Sequence, residues 1–342
     1  MVTLNTSVTW DEAAKAFFLH KRAVRELRTA KWYRGYVSQL AQWAKAEDVS
    51  LDSFTKRDLD AFLAYRSDLG RSATTLHHDA LTACTFFEWC SKNDCIDRDP
   101  LAEYKVRNAP KTYKFKPTSE NVQDLLKAVL NFYDASQNPT SARGHSMKNR
   151  SFHRDRVYAM ELVKLDTACR IGEILNFKVD DYGKTERGRQ LTVRYSKGRE
   201  PRILPVSREC ADAIDDWLKT RNKVMSNVPA SEDEGWLFMS ETGNRGNEGN
   251  YLRGLKKIVR WAGLPDQINN HSQRRYSLTT NAKDENGGLV YAQALAGHKD
   301  PKTTMIYVTL DSDFLRERHD KVGVVKGLLT SKRTIKRRSL VR

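Results

Sequence analysis

The chain has 342 residues, enough for two domains of ordinary size, and its 59 lysines and arginines against 43 aspartates and glutamates leave a formal charge of +16. Such a surplus favours a polyanionic partner, because nucleic-acid phosphates release counterions when lysine and arginine neutralise them. Five cysteines (Cys84, Cys90, Cys95, Cys169, Cys210) with no CxxC spacing exclude a disulfide framework or a zinc site, and the absence of GxxxxGK[ST] and HExxH excludes P-loop and zinc-hydrolase chemistry. No apolar run approaches the roughly 18 residues of a membrane helix, and the N-terminus lacks a secretory pattern, so a soluble, cytoplasmic protein is expected.

From Thr9 to about Tyr104 apolar residues recur at helical spacing. Thr9 or Asp11 is placed to cap a helix carrying Ala13, Phe17 and, on it or its successor, Leu27. Tyr33, Tyr36, Val37, Leu40, Trp43 and Ala44 stripe a second helix, and Thr55 with Asp58 resembles a capping box before Leu59, Phe62 and Leu63. A further helix runs through Leu76, Ala80, Ala83, Phe86, Phe87 and Cys90, so residues 1–104 read as a small domain of four or five helices.

Residues 105–117, KVRNAPKTYKFKP, hold five cations (Lys105, Arg107, Lys111, Lys114, Lys116), two prolines and no acid. A proline-broken basic segment reads as an extended linker able to lie along phosphates. Thr118-Ser119-Glu120 opens a second domain that runs to residue 315, followed by a C-terminal helix and basic tail over 316–342. Within it the polar stretch Asp134 to Asp155 reads as a long loop.

Four short stretches of this second domain carry reactive side chains. In VKLDTACRIGEIL, Leu165, Ile171, Ile174 and Leu175 mark a buried helix or helix junction, and Arg170 and Glu173, three apart, share a face as a structural or a functional pair. In QLTVRYSKGREPRILPV, alternation over Leu191, Val193 and Tyr195, then Ile203 and Pro205, gives two strands around a turn with Lys197 at its tip. In NNHSQRRYSLTT, His271 and Arg274 form HxxR just ahead of a helical run, with Arg275 adjacent. Cations there oppose the helix dipole, and an anion would compensate them. LAGHKDPKTTMIYVT places His298 on a small-residue turn and Tyr307 shortly after it.

Taken in order, Arg170, Glu173, Lys197, His271, Arg274, His298 and Tyr307 resemble the tyrosine recombinases, also called the phage-integrase family. TACRIGEIL is similar to that family's first arginine motif, SKGRE to its lysine hairpin, HSQRR to its HxxR box, and LAGHKDPKTTMIY to its final GH and tyrosine box. The resemblance runs from about Thr9 to about Leu315 and includes the helical core-binding domain and basic connection. Ala168-Cys169 replaces the more frequent small-Gly pairing, and Arg275 stands where a further histidine is common; neither departure removes a reacting group.

The resemblance implies a mainly α fold with a small antiparallel β-sheet (α+β), a helical DNA clamp joined to a catalytic domain. It implies a site-specific DNA recombinase that cuts and rejoins strands through a 3′-phosphotyrosyl intermediate and a Holliday junction. Arg170 and Arg274 would clamp phosphate oxygens with paired hydrogen bonds, where charge grows as the nucleophile enters. Tyr307 would be the nucleophile, Lys197 the general acid for the leaving 5′ oxygen, and His271 and His298 phosphate or proton partners, with Glu173 orienting its neighbours. No metal and no cofactor is implied. The partners would be double-stranded DNA with paired half-sites and further copies of the chain, a dimer on each site and a tetramer in the synapse, in a mobile-element setting.

Lys105, Arg107, Lys111, Lys114, Lys116 and Arg275 are the expected additional DNA contacts. Phe314, Leu315, Val322, Val325, Leu328 and Leu329 are expected to pack Asp311–Leu329 on a neighbouring protomer, with packing against the chain's own domain as the alternative. The rival readings are a type IB topoisomerase-like nicking-closing enzyme and a non-catalytic DNA-binding protein of the same fold. Replacing Lys111, Lys114 and Lys116 together by Ala should weaken binding to every sequence alike and flatten the salt dependence by about 0.9 in log–log slope for each phosphate left unneutralised. A filter-binding titration across salt concentrations reads both; an unchanged slope with altered sequence preference would assign the linker to groove readout instead.

Overall fold

The structure, a computed structural model, describes residues 8–110, 114–134, 136–138, 150–194, 201–226, 229, 233–283 and 288–305. It divides into two compact units, Met1–Tyr113 and Lys114–Arg342. The first holds α1 (Trp10–Val24), α2 (Leu27–Ala46), α3 (Lys56–Asp68) and α4 (Ala73–Lys92).

Thr9, not Asp11, caps α1: its hydroxyl accepts from the Glu12 N–H while its own N–H donates to the Glu12 carboxylate at 2.9 Å. Asp11 instead pairs with Lys45 of α2 at 2.6 Å. Leu27 opens α2 and stays exposed, because α1 stops at Val24. The Thr55–Asp58 box begins α3 as its spacing indicated. Trp10 of α1 meets Phe86 of α4 at 6.0 Å between ring centroids, and Phe54 stacks on Phe87 at 4.6 Å, so aromatic contacts tie three segments into one core. Val37, Leu40, Trp43, Leu59 and Phe62 complete it.

One ion pair sits inside this unit. Arg66 of α3 donates to Asp79 of α4 at 3.0 Å, both side chains being nearly fully buried. Burial raises the Asp79 carboxyl and outweighs the opposing attraction of Arg66.

The second unit begins with α5 (Ser119–Phe132), capped by Thr118 through a box with Asn121. Next come α6 (Arg150–Thr167), the short α7 (Ile171–Ile174) and a three-stranded sheet of β1 (Tyr182–Thr185), β2 (Gly188–Val193) and β3 (Arg202–Val206). Helices α8 (Arg208–Met225), α9 (Glu248–Trp261), α10 (Asn270–Lys283), α11 (Gly288–Ala296) and α12 (Pro301–Met305) complete the described part. Helix α6 packs on α5, α8, α10 and β3. Phe152 of α6 meets Trp217 of α8 edge-on at 5.0 Å in the middle of the core.

Three expectations need correction. The stretch Asp134 to Asp155 is not loop throughout, since α6 is already helical at Arg150; among its described residues the one buried apolar anchor, Phe152, is isolated among polar neighbours. On β3 the inward residue is Leu204, whereas Ile203 and Pro205 are exposed, because the antiparallel register sets Leu204 opposite Leu191 and Arg202 opposite Val193. His271 and Arg274 lie within α10 rather than ahead of it. Strand β1 had no sequence signal, since Tyr182 is its one buried residue. No described helix is long and apolar enough to cross a membrane.

Removing one member of the Arg66–Asp79 pair strands the other charge inside the first unit. Asp79→Ala should therefore cost about 3–5 kcal/mol in urea unfolding, whereas the paired change Arg66→Met with Asp79→Leu should recover most of it. Equal losses in the single and double variants would show that the pair contributes net attraction.

Candidate active site

The site is built on a break in the chain. Helix α6 ends at Thr167, whose hydroxyl donates to the Val163 carbonyl at 2.6 Å and accepts from the Cys169 N–H at 3.3 Å. Ala168 then adopts φ +51°, a left-handed conformation that costs a non-glycine residue about 1–2 kcal/mol. The turn aims the Ala168 carbonyl at Arg274, whose Nη1 donates to it. Arg170 follows as the residue preceding α7, its N–H donating to Glu173 at 2.9 Å and its Nη1 lying 3.5 Å from the same carboxylate. Arg170 keeps a third of its side chain exposed, whereas Glu173 is buried.

Arg274 lies on the buried face of α10 with 1% exposure. Besides the Ala168 carbonyl, its Nη2 donates to the Ala296 carbonyl at 3.3 Å and to His298 Nε2 at 3.2 Å. A guanidinium offers no lone pair, so His298 Nε2 accepts and Nδ1 carries the proton, which it donates to Thr304 Oγ1 at 2.8 Å. The His298 ring thus joins Arg274 on α10 to Thr304 on α12, and both His298 and Thr304 are buried.

His271, on the first turn of α10, leaves its ring open to solvent although neighbouring groups crowd one side. That crowding, then the charges of Arg274, Arg170 and Arg275, push its imidazole below the ordinary range, with Glu248 opposing. The ring is therefore neutral at neutral pH and can accept or donate one proton.

Two residues of this region escaped the sequence reading. Arg202 donates to Glu173 at 3.0 and 3.4 Å and, through Nε, to the Leu295 carbonyl at 3.2 Å. It runs beneath Gly297, where φ is +63° and an added Cβ would lie 3.1 to 3.3 Å from the arginine's side chain. Its inward position in the β2–β3 register was the available signal. Lys164, almost fully buried on α6, donates to Glu161 at 2.6 Å and to Asn270 at the start of α10 at 3.2 Å, and lies over the Tyr251 ring. Burial pulls this lysine below its usual range against the attraction of Glu161.

The other expected residues are distributed as follows. Arg275 donates to the Phe115 carbonyl, so it holds the segment leading into α5 against α10. Lys105, Arg107 and Lys114 are exposed and Lys116 is half-buried. Lys111, Lys197, Tyr307 and the segment Asp311–Leu329 lie outside the described residues. Among the described residues no group of three or more His, Cys, Asp or Glu is arranged to hold a metal ion.

Arg170 and Arg274, with His271, His298 and the buried Glu173 carboxylate, form a cationic cluster that is open to solvent at Arg170 and His271. A tyrosine recombinase XerC of Alcanivorax borkumensis is 27% identical over 271 residues, 79% of this chain and 80% of its own. One from Escherichia coli O157:H7 is 27% identical over 284 residues, 82% of each chain. Among solved structures, XerH recombinase bound to a palindromic difH substrate superposes with a TM-score of 0.67 at 16% identity, over 91% of this chain and 84% of that one. A lambda integrase dimer bound to a COC′ core site gives 0.63 at 16% identity, over 89% and 78%. At these identities the structural likeness carries the fold.

The protein is an enzyme of site-specific DNA recombination. The match to the phage integrase family spans residues 118–313, more than half of the chain, and the chain belongs to that family, the tyrosine recombinases.

Arg202→Lys keeps the charge but cannot bridge Glu173 and Leu295 together. Strand cleavage should fall at least tenfold at saturating DNA while half-site affinity changes less than twofold. Single-turnover kinetics with gel-shift titration check this, and a parallel loss of affinity would make Arg202 a DNA contact.

Proposed function

We propose that the enzyme breaks and rejoins DNA through a 3′-phosphotyrosyl intermediate on Tyr307, with Arg170 and Arg274 as the phosphate clamp. The observation that carries this reading is the hydrogen-bonded set Ala168–Arg274–His298–Thr304, with Arg170 on the adjoining turn. It unites three of the four motifs in one place. The phenolic oxygen of Tyr307 attacks the scissile phosphorus, the bond to the 5′ oxygen breaks, and that oxygen takes a proton from Lys197. The phenolic proton leaves to a neighbouring base, for which the neutral His271 imidazole is suited. The phosphotyrosyl bond conserves the energy of the phosphodiester. Attack by the 5′ hydroxyl of a second strand then completes exchange without ATP.

A dimer on each site and a tetramer in the synapse follow from paired half-sites. A lambda integrase has been seen as a dimer on a core site and as a tetramer on a Holliday junction. The basic linker, through Lys105, Arg107, Lys111, Lys114 and Lys116, adds sequence-independent grip on phosphates. The setting is the cytoplasm, with the DNA of a mobile element as the substrate. Relaxation of single duplexes, the topoisomerase-like reading, is disfavoured by the kinship with recombinases.

Tyr307→Phe should bind its site normally yet form no covalent protein–DNA complex on a nicked suicide substrate. Lys197→Ala should be rescued by a bridging 5′ sulfur, a better leaving group that needs no proton, whereas Arg170→Ala should not. Denaturing gels of the trapped complexes read both; a covalent complex with Tyr307→Phe removes Tyr307 from the role, and rescue of Arg170→Ala alone exchanges the other two.

A further inference from the structure

A second carboxylate reaches the Arg170 turn from α9. The chain leading into α9 runs antiparallel to the α7 segment: Arg245 donates Nε to Asn176 Oδ1 at 2.6 Å, Gly246 packs on Leu175, and Glu248 packs on Gly172. Two glycines permit this approach. A Cβ on Gly246 would lie 2.6 Å from Leu175 Cδ2, and one on Gly172 would lie 2.9 Å from Glu248 Oε1. Asn247 then fixes where α9 starts, its side-chain oxygen accepting from the N–H groups of Gly249 at 2.9 Å and Asn250 at 3.1 Å. Glu248 is therefore the first residue of α9, and its carboxylate lies over Gly172, two residues beyond Arg170.

The roles described so far do not account for it. Glu173 already supplies the acceptor for the Arg170 N–H and for Arg202. A further carboxylate beside a phosphate clamp opposes the charge of the substrate. The helix dipole favours an acid on a first turn, but that does not require seating it on another segment through a glycine.

His271 is the group that can use it. Arg274 and Arg275 on its own helix and Arg170 ahead of α7 disfavour a proton on the imidazole, whereas Glu248 on α9 favours one. Once the ring has taken a proton it is a fourth cation among three guanidiniums. A nearby carboxylate stabilises that state and not the neutral ring.

We propose that Glu248 is a positioning residue for strand cleavage that acts through His271: its carboxylate stabilises the imidazolium formed when His271 takes the proton of the attacking phenol. This rests on the reading of His271 as the proton acceptor. The protons balance within the site. The phenolic proton passes to His271 as the bond from oxygen to phosphorus forms, and Lys197 protonates the departing 5′ oxygen. Both transfers reverse when a 5′ hydroxyl attacks the phosphotyrosyl bond.

The test follows the imidazole directly. The full chain, isotope-labelled at histidine, is titrated with pH by NMR without DNA, and the His271 signal is assigned by its loss in His271→Gln. In Glu248→Gln the His271 midpoint should move to lower pH, because a charge that favours the proton is gone; Glu248→Asp should retain most of the wild-type midpoint. Covalent-complex formation on the suicide substrate is then followed in single turnovers across pH. Its acid limb should move to lower pH by the same amount in Glu248→Gln, and cleavage at neutral pH should slow about threefold or more. A His271 midpoint that stays in place in Glu248→Gln, or that shifts equally in Glu248→Asp, would overturn the assignment. A midpoint that moves while the acid limb stays keeps Glu248 paired with His271 and removes His271 as the proton acceptor, so the two readings fail separately.

Discussion

The site depends on one buried cation. Arg274 is almost wholly removed from water, and a guanidinium cannot escape the penalty by losing its proton. Its charge must be matched by acceptors brought to it, and the described acceptors come from three places: Ala168 after α6, Ala296 at the end of α11, and His298 beyond it. The arginine therefore gathers segments that are more than a hundred residues apart in sequence. Helix α10 places the guanidinium, and the turns around it are shaped to serve it.

That service involves backbone geometry as well as hydrogen bonds. Ala168 and Gly297 both adopt positive φ, one presenting a carbonyl to Arg274 and the other leaving room for Arg202. Only the second is a glycine, so the strain at Ala168 is offset by the bond its carbonyl makes. Arg202 links the Glu173 carboxylate to the Leu295 carbonyl, which ties the turn of Arg170 to the turn of His298 from below. Lys164 acts at the start of α10 by holding Asn270, and its Glu161 partner also accepts from the Tyr251 hydroxyl. One buried ionic grouping thus braces α10, and the other ties α7 to α11.

How much of this was legible in the sequence follows from where each signal resided. Helical stripes such as Val37–Leu40–Ala44 and the boxes at Thr9 and Thr55 depend on neighbours within a few residues, and the first unit followed them closely. The family's motifs were legible because they are short and pair a charged residue with a small-residue turn, as at Arg170 and His298. Arg202 and Lys164 were not, because an inward-facing cation looks like any surface cation until the register or the packing face is known. The β3 face was misread for the same reason: Ile203 is apolar yet exposed, and pairing across β2 decided the matter. The start of α6 was hidden because Arg150–Asp155 is polar almost throughout and its helical state rests on the tertiary contact of Phe152 with Trp217.

The two motif arginines are physically unequal, and the inequality suits the clamp proposed for them. Arg274 is immobilised by internal acceptors, so its direction is set before any substrate arrives and little conformational entropy remains to be lost. Arg170 is held through its backbone N–H by Glu173, while a third of its side chain stays exposed. One guanidinium supplies preorganised field and the other supplies reach. Burial first, and then the charges of Arg274, Arg170 and Arg275, depress the His271 imidazole against the pull of Glu248, which places a neutral proton acceptor beside two permanent cations. A neutral imidazole beside two cations is an arrangement that the proposed attack by a phenol of ordinary pKa about 10 would use, because the proton acceptor there does not compete with the arginines for the phosphate.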